Sequence, residues 1–127
     1  MAGAEQQPAE AVKPGESEDD RTLGGYFSVH NRPPAFEACD GCPYTVSIET
    51  ERSGDLRAPV AAYLVFPRWA ETGLGIVGHV ETPLLWQGPT REAVLDQAGA
   101  LGLHEVQRLL NEAVVRKASG GSNGEPA

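Results

Sequence analysis

The chain has 127 residues and a formal net charge of −8, ten basic against eighteen acidic side chains. That length predicts one domain, and the absence of a basic stripe argues against a nucleic-acid partner. No apolar run approaches the ~18 residues of a membrane span. The N-terminus has no basic start followed by an apolar segment, so the expected location is cytoplasmic, where thiols stay mostly reduced.

Residues 1–22 hold six acids against two bases, with Met1 and Val12 as their large apolar side chains. Such a stretch cannot bury enough surface to offset its ordering entropy, and it reads as a disordered acidic N-terminal arm. Residues 118–127, ASGGSNGEPA, read as a disordered Gly/Ser tail. The expected folding unit is 23–117, a single α+β domain with eleven acids and eight bases. Half of the net charge thus sits on the arm, where it serves solubility.

Within that unit, Tyr26 to Asn31 alternates in a way that predicts a first strand. Residues 32–43, RPPAFEACDGCP, then read as a long connection, because Pro33 and Pro34 exclude helix and paired strand. Its charged residues Arg32, Glu37 and Asp40 are candidates for positioning a ligand, against a plainer reading as a cover pinned by Phe36. Tyr44 to Glu51 has one apolar face, Tyr44, Val46 and Ile48, and one polar face, Thr45, Ser47, Glu49 and Glu51. Pro59 to Phe66 is apolar on both faces and predicts the central strand, ended by Pro67. Leu74 to Thr82 gives a further strand, and Leu84 to Trp86 a short fifth.

Thr90 is an expected helix N-cap with Glu92 in the first turn. Gly99 and Gly102 predict a break, after which Leu103, Val106, Leu109, Leu110, Ala113 and Val114 recur at helical spacing. Strands followed by helices argue an α+β fold: an antiparallel sheet of four to five strands with two C-terminal helices packed on one face. That leaves the other face open. Tyr26, Tyr63, Val65 and Val77 are expected to form an apolar patch there, with Arg68 and Trp69 beside it as a contact pair.

The two cysteines, Cys39 and Cys42, are spaced as a metal half-site or a redox pair. The redox reading needs a helix after the first thiol, and Pro43 opens a strand instead. Tetrahedral zinc needs two more donors, and His30 and His79 are the candidates. The plainer reading is a turn, since Asp40-Gly41 is good turn chemistry. His79 and Glu81 lie two apart on one strand face, a spacing that permits acid–base work and that any wet strand also shows.

The composite expectation is a small soluble binding or interaction module, non-catalytic, self-associating as a homodimer through the open sheet face or a sheet edge. No cofactor is expected, and the partner class, protein or small molecule, is open. The alternatives are a zinc-binding or thiol-reactive protein centred on Cys39 and Cys42, and a small enzyme using His79, Glu81 and His30.

Overall fold

The computed structural model of the protein describes residues 20–124, with side chains described to residue 119. The acidic arm lies outside the described residues up to residue 19. The chain runs α1 (Leu23–His30), β1 (Ala35–Glu37), β2 (Pro43–Thr45), β3 (Ser47–Arg52), β4 (Val60–Trp69), β5 (Ile76–Glu81), β6 (Trp86–Gly88), α2 (Arg91–Gly99) and α3 (Leu103–Gly124). The architecture is α+β: one antiparallel sheet of six short strands with helices on one face. The strands fall into four rows. β1 pairs with β2; β2 and β3 share one edge of β4; β5 and β6 share the other.

The strand expected over Tyr26–Asn31 is instead helix α1. Its apolar alternation lost to local capping. The Thr22 hydroxyl accepts from the Gly25 N–H at 3.0 Å, and Asn31, at φ 57°, ends the helix by donating its N–H to the Phe27 carbonyl. As a helix, the segment places Leu23 and Phe27, four apart, against the core.

The expected strands Leu74–Thr82 and Leu84–Trp86 are found at Ile76–Glu81 and Trp86–Gly88, and proline explains two further differences. Pro33 and Pro34 keep their own positions out of the sheet, but Ala35–Glu37 just beyond them pairs as an edge strand with β2. Pro67 does not end the central strand: β4 continues to Trp69. The pairs Tyr44↔Arg68 and Ser47↔Val65 share one register, which sets Pro67 opposite Thr45. Pro67 has no N–H to give, and it is the neighbouring strand that breaks there, into β2 and β3.

Leu64 and Phe66 of β4, Tyr44 and Val46, Val80, and Val106, Leu110 and Ala113 of α3 form the core. Each large aliphatic or aromatic side chain buried there contributes about 1.5–3 kcal/mol. α2 begins at Thr90, whose hydroxyl accepts from the Ala93 N–H at 3.0 Å, and packs Val94 against Gly88 of β6. Thr82 extends the β4–β5 ladder with its side chain, since its buried hydroxyl accepts from the Leu64 N–H at 3.0 Å.

The start of α1 is tied to the α2–α3 connection by the Leu23 N–H to the Leu101 carbonyl and the Leu103 N–H to the Arg21 carbonyl, each 2.9 Å. The helices α1 and α2 meet backbone to backbone at Gly24 and Gly99, where a Cβ on Gly24 would lie 3.1 Å from the Gly99 Cα. Gly24→Ala should therefore destabilise the protein by about 1–3 kcal/mol through overpacking, although alanine is by itself the better helix former by ~1 kcal/mol. Urea unfolding followed by circular dichroism measures this, and a rise in the midpoint would mean the two helices do not touch there.

Candidate functional site

The alternation of β4 divides its side chains between two surfaces, and each surface carries a candidate site. Ala62, Leu64 and Phe66 point to the helices and are fully buried. Ala61, Tyr63 and Val65 point the other way; Tyr63 and Val65 are half-buried there and Ala61 is fully buried. The open face foreseen from the pattern is thus present, but its membership differs.

Tyr26 is not part of it. It lies on α1, its ring 4.1 Å from that of His30 and beneath the Arg32 guanidinium. Arg68 alternates to the helix face. Trp69 remains on the open face, where its indole N–H donates to the Thr45 hydroxyl at 3.0 Å. Val77 is the extra residue of a bulge between the Arg68↔Gly78 and Trp69↔Ile76 pairs, and it is 55% exposed.

The floor of this face is charged as well as apolar. Glu49 is directly opposite Tyr63 in register. Glu51 and Glu81 are its diagonal neighbours, opposite Ala61 and Val65 respectively. Tyr63, Glu51 and Glu81, with Thr82, Pro83 and Leu84, line a hollow of about 230 Å³. Desolvation, then the charges of Glu81, Glu51 and Glu49, raise the phenol pKa of Tyr63. The reading of Glu49 and Glu51 as a wet strand flank was legible. That Glu81 closes the ring from the far side was not, because it depends on the β4–β5 register.

The second surface begins at the cysteines. Residues 38–42 are the turn of the β1–β2 hairpin. The Ala38 N–H donates to the Cys42 carbonyl at 3.1 Å, the Gly41 N–H donates to the Ala38 carbonyl at 2.9 Å, and Gly41 has φ 81°. That is a three-residue hairpin loop with glycine in the left-handed position, which is what Asp40-Gly41 favours. Asp40 braces it by accepting from the Cys42 N–H at 2.9 Å.

The two free thiols have different neighbours: Cys39 lies against the Asn111 carbonyl of α3 at 4.0 Å, Cys42 against the Arg68 guanidinium at 3.9 Å. His30 is held by Asp20 at 2.9 Å, and His79 pairs with Glu81 at 3.8 Å. Among the described residues, no three His, Cys, Asp or Glu side chains are grouped to hold a metal ion, so Cys39, Cys42, His30 and His79 are not brought together as one set.

Beside Cys42, a cleft of about 230 Å³ opens between the sheet end and the last turns of α3, lined by Asp40, Tyr44, Arg68, His79 and Lys117 among others. The Tyr44 hydroxyl donates to the second Asp40 oxygen at 2.8 Å. Desolvation, then the Asp40 hydrogen bond and charge, push the Tyr44 phenol far above its ordinary range, so it stays a neutral donor. In the sequence Lys117 is one base just beyond the last helical repeat. Its arrival at this cleft follows from how α3 crosses the sheet, which no local pattern encodes.

No protein-family model, curated protein or solved structure matches the chain.

Asp40 provides a pH test of the hairpin. Desolvation raises its carboxyl pKa, but the hydrogen bonds from the Cys42 N–H and the Tyr44 hydroxyl outweigh it and hold it below the usual 3.8. A depressed folded-state pKa means the unfolded chain binds the proton more readily, so the stabilisation is present above that range and lost as pH falls through it. The stability gap between wild type and Asp40→Asn should be open at about pH 6 and closed at about pH 2.5. Urea titrations at both pH values measure it, and a gap that widens in acid refutes the assignment.

Proposed function

We propose that the protein is a binding module that docks a basic protein segment on the uncovered face of its sheet, with a lysine or arginine side chain of the partner laid over Tyr63. The observation that carries this reading is the ring of Glu49, Glu51 and Glu81 around an aromatic floor that no described element covers. An aromatic ring attracts a cation through its quadrupole, by about 0.5–1 kcal/mol at an exposed site. Each rim carboxylate adds roughly 0.2–1 kcal/mol. Pro83 and Leu84 offer the aliphatic stem of such a side chain an apolar wall. Val65, Trp69 and the exposed Val77 continue the apolar strip toward the β4–β5 turn.

Charge also ranks the other occupants. A second copy of the chain, docked face to face, would bring its own three carboxylates against these, and like charges in apposition are costly. The chain's own arm, with six acids against two bases, is no better matched.

The test is fluorescence anisotropy of a labelled arginine- and lysine-rich peptide, with an acidic peptide of equal length as control. Binding of the basic peptide alone is expected, weakening with salt, and about tenfold weaker for Glu51→Gln with Glu81→Gln. Equal binding of both peptides, or no loss in the double variant, overturns the reading. Sedimentation supplies the competing outcome: a concentration-dependent dimer that Tyr63→Glu with Val65→Glu dissolves, without peptide binding, would assign the face to self-association.

A further inference from the structure

Four ion pairs join described side chains, and they use His30, His79 and Arg108, the last of these twice. Arg68 and Lys117 enter none of them, although the chain carries eighteen acids. Both cations line the same cleft, on the helix face of the sheet and opposite the surface just described.

Arg68 reaches the cleft from β4 because its cross-strand neighbour is Gly78. The guanidinium lies against the glycine: a Cβ there would already be in contact, 3.5 Å from Nη2 and 3.6 Å from Nε, and a longer side chain would take the guanidinium's place. Among the described residues, the hydrogen-bond acceptor that the Arg68 side chain meets is the Cys42 sulfur, at 3.9 Å from Nη1. Sulfur is a weak acceptor, so the planar fork has donors left over. Lys117 spends one of its three N–H donors on the His79 carbonyl, at 2.9 Å.

One carboxylate, Asp40, also lines the cleft, and it is engaged. One of its oxygens accepts from the Cys42 N–H and the other from the Tyr44 hydroxyl. Asp40 forms no ion pair with Arg68 among the described side chains, and its charge beside the guanidinium favours the charged form of Arg68. What remains is a pocket of about 230 Å³ lined by both Arg68 and Lys117, neither of which enters an ion pair among the described side chains. The fork geometry matches the two oxygens of a carboxylate or phosphate, and the ammonium adds a compact charge.

We infer that this cleft is a binding site for a small oxyanion, a carboxylate or phosphate group, held by Arg68 and Lys117. It is independent of the basic-partner surface, since the residues that carry the two sites lie on opposite faces of β4.

The test is a titration of the full chain with inorganic phosphate and, separately, with malonate, each against sodium chloride at matched ionic strength. The readouts are the Arg68 side-chain Nε–H resonance and the melting temperature. A saturating shift of that resonance by either oxyanion, with a rise in melting temperature that chloride does not produce, is the expected result; the arm that saturates first names the ligand class. Lys117→Gln should weaken both responses, and Arg68→Gln the melting-temperature response, about tenfold or more, while Arg32→Gln, beyond the end of α1, leaves both intact. An equal response to chloride, or an unchanged melting-temperature response in Arg68→Gln, overturns the site. Glu51→Gln with Glu81→Gln should leave the titration unaltered, so failure here is distinguishable from failure of the sheet-face reading.

Discussion

β4 is hydrogen-bonded along both edges, and its flanking rows depend on it. β2 and β3 take one side and β5 and β6 the other, so that one ten-residue strand registers four more. Register in turn decides which side chains face which way, because a slip of one residue would send Leu64 and Phe66 to water and Tyr63 and Val65 to the core. The burial of Ala62, Leu64 and Phe66 against the helices is what prevents the slip. The open face and the cleft are both consequences. Tyr63 faces away from the helices because Leu64 faces them, and Arg68 reaches the helix side because it is in phase with Phe66.

The amphipathic stretches were readable for a physical reason. Tyr44–Glu51 alternates because one side meets the core, and Pro59–Phe66 does not alternate because it lies between two rows. The strong helical spacing from Leu103 to Val114 matches the burial of Val106, Leu110, Ala113 and Val114. Helix α1 was misread because eight residues supply too few periods to separate a repeat of 3.6 from one of 2. The informative signals there were the caps, Thr22 before and Asn31 after, rather than the apolar residues between. Pro67 misled for the complementary reason: a missing donor matters only where a partner awaits it, and that is a property of the neighbouring strand.

The sites were less legible than the fold. Tyr63, Val65 and Val77 were placed by alternation, but Arg68 and Trp69 were assigned to their company by adjacency in sequence, and one residue's step along a strand reverses the face. The ring around Tyr63 and the meeting of Arg68 with Lys117 join residues from three elements, and each charge taken singly is an ordinary surface charge. The Cys39/Cys42 spacing, the most conspicuous motif in the chain, resolves into hairpin geometry. Its contribution to the cleft is the placement of Asp40 and Cys42 beside Arg68, a consequence of where the turn falls.

β5 is the element the two surfaces share. Its Glu81 side chain belongs to the rim around Tyr63, while its Gly78 seats the Arg68 guanidinium. Unlike β4, it has one strand partner, and an edge strand left bare is prone to pair with other chains or to fray. Here α3 answers for the missing neighbour. Lys117 donates to the His79 carbonyl and Arg116 to the Glu81 carbonyl, at 2.9 Å and 3.4 Å, alternate residues as expected of one exposed edge. The cations at that part of α3 therefore blunt an edge that would otherwise offer its carbonyls to another strand. The same Lys117 that holds the edge also faces the cleft. Both surfaces consequently rest on how firmly α3 is seated, and the burial of Leu110, Ala113 and Val114 beneath its outward charges is what seats it.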